Sequence, residues 1–361
     1  LKDIMSGLVI PHFGLARQYK NIGAELLDAT HRALKDGQLV GGHYTRSFEE
    51  WLKNRTQTKY AITVHSGTQA LEIIARYKKI KHNDTIKNNP KIRIPNLTYP
   101  ATLNAFLTAG WDVELGDTDK YGILNRQDKT SGSMYDCVMG FAGRRPWPEA
   151  TYRDSYGVIV DGAQHWLECS GNVGSGMSIS FDPTKNLNSS GNGGAIVTND
   201  EQLYLYAATY RDNNKPAFHD VGTNSKMSEQ DCAQILVRAK YIDEWQKRRK
   251  EISDFWCDRF SELPITCLND TKFPHANQKF VMYLADRNSL HTHMIVNGIA
   301  TKIHYDYVLG DLPTAKELTK PDMLSTSVML SRGVISLPLY PELTDNEINY
   351  IADKVDEWFG E

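Results

Sequence analysis

Short apolar runs alternate with helical stripes over the first half of the chain. Ala61-Ile-Thr-Val-His65, Ile92-Arg-Ile-Pro95 and Tyr156-Gly-Val-Ile-Val-Asp161 are rich in β-branched residues and lead into turn or helix-start residues. This pattern predicts three buried parallel strands. After the first, Ser66-Gly67-Thr68 opens a helix with apolar positions Ala70, Leu71, Ile73, Ile74 and Tyr77. After the second, Tyr99-Pro100-Ala-Thr102 leads into another through Ala105, Phe106 and Ala109. Met177 to Phe181 reads as a further short strand. Strand, loop and helix in alternation imply a doubly wound, mostly parallel α/β domain. In such sheets, ligands gather where the carboxyl ends of strands meet helix N-termini.

From Ser228 to about Leu263, Cys232, Ile235, Leu236, Ala239, Ile242 and Trp245 recur at helical spacing. Ile252, Phe255, Trp256 and Phe260 continue the stripe, which predicts one long helical segment. Ser228 and Asp231 have the spacing of a capping box, with Asp in place of the usual Glu or Gln. Beyond Pro264 a smaller α/β unit follows. Phe280 to Leu284 and Ile299 to Tyr305 read as strands, Ser289 to Val296 and Asp345 to Phe359 as helices. The expected division is a large domain with an N-terminal arm, residues 1–245, and a small C-terminal domain, residues 246–361.

Composition narrows the function classes. A chain of 361 residues can bury two sizeable cores, and 40% hydrophobic with 24% charged residues is ordinary for a soluble protein. A net charge of -3 gives no electrostatic basis for binding nucleic acid or a membrane surface. No apolar run approaches the ~20 residues that span a bilayer. Leu1-Lys-Asp-Ile-Met-Ser-Gly7 has no signal-peptide layout. The five cysteines (Cys137, Cys169, Cys232, Cys257, Cys267) contain no Cys-x-x-Cys pair and are odd in number. Such thiols fit a reducing cytoplasm. His291-Thr-His293 lacks the spacing of a zinc protease, and no metal is assigned.

The chemistry concentrates around Lys185, within Ser180-Phe-Asp-Pro-Thr-Lys185-Asn-Leu-Asn-Ser-Ser-Gly-Asn-Gly-Gly194. A lysine in a polar, glycine-rich loop is ordinarily a solvated charge. Here, however, the strand ending at Asp161 lies twenty-four residues upstream. An amine and a carboxylate at the ends of neighbouring strands suit pyridoxal phosphate (PLP), which needs a Schiff-base lysine and an acid for its pyridine nitrogen. Ser66-Gly67-Thr68-Gln69 has the makings of a phosphate cup at a helix start, although the same turn serves as a plain helix cap. Tyr99 could lie over a planar ring or belong to the core, and Ser180 could add a hydroxyl to the phosphate.

The ordered set of motifs resembles the DegT/DnrJ/EryC1/StrS family, sugar aminotransferases of the aspartate-aminotransferase fold (fold type I), from about residue 10 to the end. It comprises Gly37-Gln-Leu-Val-Gly41-Gly42 with Phe48-Glu49, His65-Ser-Gly-Thr-Gln-Ala-Leu71 and Ile94-Pro-Asn-Leu-Thr-Tyr99-Pro-Ala-Thr102. Val160-Asp161-Gly-Ala-Gln164, Ser180-Phe-Asp-Pro-Thr-Lys185-Asn186 and Gly191-Asn-Gly-Gly194-Ala-Ile-Val-Thr-Asn199-Asp200 follow. Gly222-Thr-Asn224-Ser-Lys-Met227-Ser-Glu229 and Val334-Ile-Ser-Leu-Pro-Leu-Tyr-Pro341 complete it.

The resemblance implies roles. Lys185 is the Schiff-base lysine and, once released by substrate, the general acid and base of a 1,3-proton shift. Asp161 pairs with the pyridinium nitrogen, Gln164 with the phenolic oxygen, and Tyr99 stacks on the ring. Gly67, Thr68, Gln69 and Ser180 hold the phosphate, joined by Asn224 from a neighbouring subunit, so the expected assembly is a homodimer with shared sites. His304 and Tyr305 fall near the acceptor pocket. The implied reaction transfers an amino group from an amino acid, L-glutamate being the expected donor, to C3 or C4 of a nucleotide-linked keto-deoxysugar.

Three departures fall at positions that the resemblance places around the acceptor pocket. Val160 replaces the usual acidic residue, Gly140-Phe-Ala-Gly143-Arg-Arg-Pro146 replaces a His-Leu-Tyr-Gly-like segment, and Tyr307-Val-Leu309 stands where Pro-x-His is common. A keto-cyclitol or other non-nucleotide ketone therefore stays open as acceptor. A non-catalytic PLP-binding regulator is the alternative from outside the enzyme class.

Overall fold

The structure is a computed structural model that describes residues 9–85, 89–125, 135–146, 157–171, 173–216, 221–269, 273–318 and 324–360. Tyr156 and the Leu1 to Gly7 segment lie outside the described residues. The elements are α1 (Leu15–Lys35), α2 (His43–Thr56), β1 (Tyr60–Val64), α3 (Gly67–Thr85), β2 (Lys91–Pro95), α4 (Pro100–Thr108), β3 (Asp112–Gly116) and β4 (Tyr135–Met139). Next come β5 (Val158–Asp161), β6 (Met177–Ser180), β7 (Gly194–Thr198), α5 (Glu201–Tyr210), α6 (Glu229–Ala239) and α7 (Ile242–Arg259). The remainder are β8 (Thr266–Cys267), β9 (Phe280–Tyr283), α8 (Arg287–Val296), α9 (Ser325–Gly333), β10 (Val334–Leu337) and α10 (Asp345–Gly360).

Seven strands form one sheet in the order β1-β7-β6-β5-β4-β2-β3. Strands β2 to β6 pair in parallel, and β7 is antiparallel to both β6 and β1. The stretch expected as the first parallel strand therefore points the same way as β6 but has an antiparallel ladder partner. The cause is the β6–β7 connection, residues 181–193, which contains no crossover helix and can only return antiparallel.

Both faces of the sheet are covered, as continuous apolar strands require. On one face, Leu71 and Ile74 of α3, Phe106 of α4 and Leu203 of α5 pack over Ile62, Ile94 and Ile159. On the other, Phe48 and Leu52 of α2 and Ile235 of α6 pack over Val160, Ile179 and Val197. A second, antiparallel sheet has the order β10-β9-β8. Its core joins Phe280 and Met282 to Trp256 of α7 and Ile351 of α10. Among the described residues, no helix is long and apolar enough to cross a membrane.

Two further expectations need correction. The long helical segment is two helices, α6 and α7. The N–H groups of Lys240 and Tyr241 reach Val237 and Arg238 three residues back, which tightens the last turn and ends the helix. Ala233 and Val237 of α6 then pack on Ile22 and Leu26 of α1, whereas Ile252 and Trp256 of α7 enter the second core. A stripe that changes partner half-way keeps its period, so periodicity alone does not expose the break.

The strand expected over Ile299 to Tyr305 is reduced to isolated bridges, Ile10 with Ile299 and Lys302 with Ser336. The segment leaves β10 because Tyr305 turns toward the large sheet. Its ring centroid lies 6.5 Å from that of Phe141 and 6.1 Å from that of Tyr99.

Candidate active site

Parallel register places Asp161, the last residue of β5, opposite Met139 of β4 and Ser178 of β6. Strand β6 then runs through Ser180 into the loop carrying Lys185. The two groups singled out in the sequence thus belong to adjacent strand ends. Both face a cavity of about 510 Å³ that Gly67, Thr68, Tyr99, Gln164, Ser180, His304 and Tyr305 also line.

Asp161 is buried at 6% exposure. Its Oδ2 accepts the Thr102 hydroxyl at 2.8 Å, and its Oδ1 accepts the Ala163 N–H at 3.2 Å. Burial raises the carboxyl pKa; the two donors and the nearby Lys185 work against that rise. Burial also lowers the Lys185 pKa, opposed by Asp182 and Asp161. The arrangement is an amine made easier to deprotonate beside a carboxylate whose ionised form is held by directed donors.

The opposite end of the cavity is the start of α3. Ser66 caps this helix, its Oγ accepting the Gln69 N–H at 3.1 Å. A Cβ on Gly67 would stand 2.7 Å from the Ser180 Cβ. Only glycine lets the helix start approach β6 this closely, and Thr68 and Ser180 both line the cavity. Helix N–H groups and hydroxyls at such a point suit an anion.

Gln69 and Asn224 are not brought to the cavity. The Gln69 amide lies along α3, donating to Glu72 Oε2 at 3.2 Å. Asn224 is exposed and forms an isolated bridge with Asp212.

On the small-sheet side, the Gln164 Nε2 stands 3.5 Å from the Tyr305 hydroxyl. Burial raises the Tyr305 pKa above the tyrosine range, so the hydroxyl stays protonated. His304 Nδ1 pairs with Ser336 Oγ at 2.9 Å. Burial first, then the neighbouring Lys279, hold its imidazole neutral, far below the usual histidine range.

Residues 20–127 and 152–356 match the model of the DegT/DnrJ/EryC1/StrS aminotransferase family. The chain belongs to this family. It is therefore an aminotransferase of a PLP-dependent family, as the motifs led us to expect.

Among curated relatives, a "pleiotropic regulatory protein" of Geobacillus stearothermophilus is 24% identical, the match covering 97% of this chain and 98% of the relative. The dTDP-3-amino-3,4,6-trideoxy-alpha-D-glucose transaminase of Streptomyces venezuelae is 26% identical over 97% of this chain and 96% of that one. The X-ray structure of S. venezuelae DesV in complex with a ketimine intermediate superposes with a TM-score of 0.88 at 24% identity, covering 98% and 99% of the two chains. That likeness places the fold in type I, as the motif order implied.

The cavity of this family member also contains residues that sequence reasoning passed over. Thr102 falls in the first turn of α4, after the Tyr99 N-cap. A hydroxyl in the first turn of a helix that follows a strand was a usable signal. Phe13, Lys279 and Lys302 also line the cavity, and the Lys302 amine lies 4.7 Å from the Phe13 ring centroid. Nothing local marks these three, because they arrive from the chain's first helix approach and from the small sheet.

Proposed function

We propose that this protein transfers an amino group from an amino acid, with L-glutamate as donor, to C3 or C4 of a nucleotide-linked keto-deoxysugar. The carrying observation is one cavity in which a lysine whose proton affinity burial has reduced faces a buried, hydrogen-bonded carboxylate. The sugar acceptor draws its support from the S. venezuelae transaminase, whose match extends over nearly the whole of both chains.

The residues fit PLP. Asp161 would hold the pyridine nitrogen, and its Thr102 and Ala163 donors favour the ionised carboxylate that such a contact needs. Thr68, Ser180 and the α3 start would hold the phosphate, with Gly67 providing the close approach. Gln69 would join them by turning its amide away from Glu72, and Asn224 would enter from a second copy in a homodimer. Tyr99 would cover the ring and Gln164 would donate to the phenolic oxygen.

Bound PLP supplies an electron sink for the carbon next to the transferred nitrogen. The chain supplies the proton handling. Lys185 would anchor the group and, once displaced by substrate, take the proton from one carbon and return it to the next. Its desolvation leaves more of the neutral amine available near neutral pH than an exposed lysine has. His304 and Tyr305, both kept uncharged by burial, would face the acceptor as neutral hydrogen-bonding groups.

The test is borohydride reduction of PLP-loaded protein followed by peptide mass spectrometry, together with absorbance of the loaded enzyme. The expected result is modification at Lys185 and a visible band that glutamate removes and a keto-sugar nucleotide restores. A band indifferent to amino acids contradicts a transaminase. A band restored by keto-cyclitols and not by sugar nucleotides reassigns the acceptor.

A further inference from the structure

Lys279 reaches the cavity from the other sheet. It precedes β9 by one residue and is buried at 7% exposure. Its Nζ donates to two amide oxygens, Gln164 Oε1 at 3.2 Å and Gln278 Oε1 at 2.5 Å. While Lys279 carries its proton it donates and never accepts, so each glutamine then presents its oxygen to Lys279 and its NH₂ elsewhere. The Gln164 Nε2 is thereby turned toward the Tyr305 hydroxyl, 3.5 Å away, on the cavity wall. The Gln278 Nε2 donates to the Thr184 carbonyl at 3.1 Å, immediately before Lys185. One lysine of the small sheet thus ties the turn after β5 to the loop holding the reactive amine.

We infer that Lys279 is a positioning residue of this active site, fixing the Gln164 amide with its N–H groups toward the cofactor's phenolic oxygen and anchoring the Lys185 loop through Gln278. The inference rests on the PLP reading given above. The groups facing Lys279 are Lys185 and Asp182 from the loop after β6, Lys302 and His304 from the segment after α8, and His12 from the segment before α1. Burial and Lys185 push the Lys279 pKa well below the lysine range, with Asp182 opposing. An anionic oxygen in the cavity favours the charged, donating form. Without Lys279, the Gln164 amide is free to turn over and present an acceptor where a donor is needed. Positive charge on that side of the site is lost as well, and both changes raise the proton affinity of the linkage between Lys185 and the cofactor.

The test uses Lys279→Met, which keeps the aliphatic stem and removes the donors, and Lys279→Arg, which restores donors and charge. In PLP-loaded Lys279→Met, the pH midpoint of the visible band is expected to rise by about one unit. The PLP dissociation constant is expected to rise about ten-fold, as for the loss of one charge-assisted hydrogen bond. Lys279→Arg should move both back toward wild type, which a purely structural role would not produce. A Met variant with the wild-type midpoint and affinity overturns the inference. Should that variant not fold, Gln278→Leu leaves Lys279 in place and cuts the link to Thr184. It is expected to weaken PLP binding several-fold, and wild-type affinity there overturns the inference equally. Failure of borohydride to fix PLP on Lys185 in the wild type would instead refute the site reading on which this one stands.

Discussion

The Thr102 hydroxyl donates to Asp161 Oδ2 at 2.8 Å, joining the first turn of α4 to the carboxyl end of β5. The bond works against the desolvation that raises the Asp161 pKa. Thr102→Val removes the donor with almost no change in shape, so the carboxyl pKa rises further and the ionised form is lost at higher pH. PLP binding is expected to weaken by about 1–2 kcal/mol, roughly ten-fold. The acid limb of kcat/KM should move to higher pH. Titration of cofactor absorbance and a pH–rate profile check the two effects separately.

Lys185→Ala should abolish transfer and incorporate no PLP after borohydride treatment. General acid–base catalysis alone accounts for a loss of about 10²–10⁴-fold, and loss of covalent anchoring adds to it. Truncating Lys185 to Ala removes a desolvated amine and its stem from the wall of an existing cavity, so the apoprotein's melting temperature should be retained or rise. Retained turnover in this variant would take Lys185 out of the mechanism.

Much of the site was legible because strand ends and helix starts carry local signals. Asp161 closes an apolar run, Ser66-Gly67-Thr68 begins an amphipathic helix, and Lys185 sits in a polar loop twenty-four residues after the strand end at Asp161. What escaped depends on pairing between distant segments. The antiparallel partner of β1 is β7, more than a hundred residues away, and Lys279 meets Gln164 only because the second sheet packs against the mouth of the first. The capping signals show the same division. Ser228 Oγ does accept the Asp231 N–H at 3.1 Å. Asp231, one carbon shorter than Glu, returns to the Ser228 hydroxyl at 2.6 Å. The reciprocal backbone box forms instead at Thr344 and Glu347, where the N–H of each meets the other's side chain.

Glu229 opens α6 while holding the start of a different helix. Its carboxylate accepts the N–H groups of Gly42 at 2.8 Å, Tyr44 at 2.8 Å and Thr45 at 3.0 Å, and it is buried at 1% exposure. Three free N–H groups of α2 are satisfied by one side chain, aided by the favourable charge at a helix N-terminus. Glu229→Ala strands these donors in a dry site and should cost about 2–4 kcal/mol. Urea denaturation at pH 7 measures it, and a loss below about 0.5 kcal/mol would contradict the account.

Arg17 of α1 and Glu347 of α10 form a two-pronged pair at 2.7 and 2.5 Å. Glu347 is pulled down to about 2, first by Arg17 and then by the Thr344 donors, against desolvation. A carboxyl lowered on folding stabilises the protein fully above its unfolded value of about 4.5. That contribution is lost as the pH falls from there toward about 2. Because the pair is partly solvated, its worth at pH 7 is discounted to about 1–2 kcal/mol. Arg17→Gln should therefore be less stable than wild type at pH 7, with the two stability curves converging between pH 4.5 and 2. Parallel curves across that window would mean that this pair does not supply the acid sensitivity.

A single cavity of about 510 Å³ holds every lining group proposed for both the amino donor and the acceptor. Tyr99, His304 and Tyr305 line that cavity together with Lys185. Both half-reactions would also need the same amine, which would take a proton from the donor's carbon in the first and deliver one to the acceptor's carbon in the second. The two substrates must then take turns, the first product leaving before the second substrate enters. Double-reciprocal plots at several fixed glutamate concentrations should give parallel lines. Glutamate alone, with no acceptor present, should release stoichiometric 2-oxoglutarate. Intersecting lines would require donor and acceptor to be bound together, which a site built around one shared lysine and one shared cavity does not accommodate.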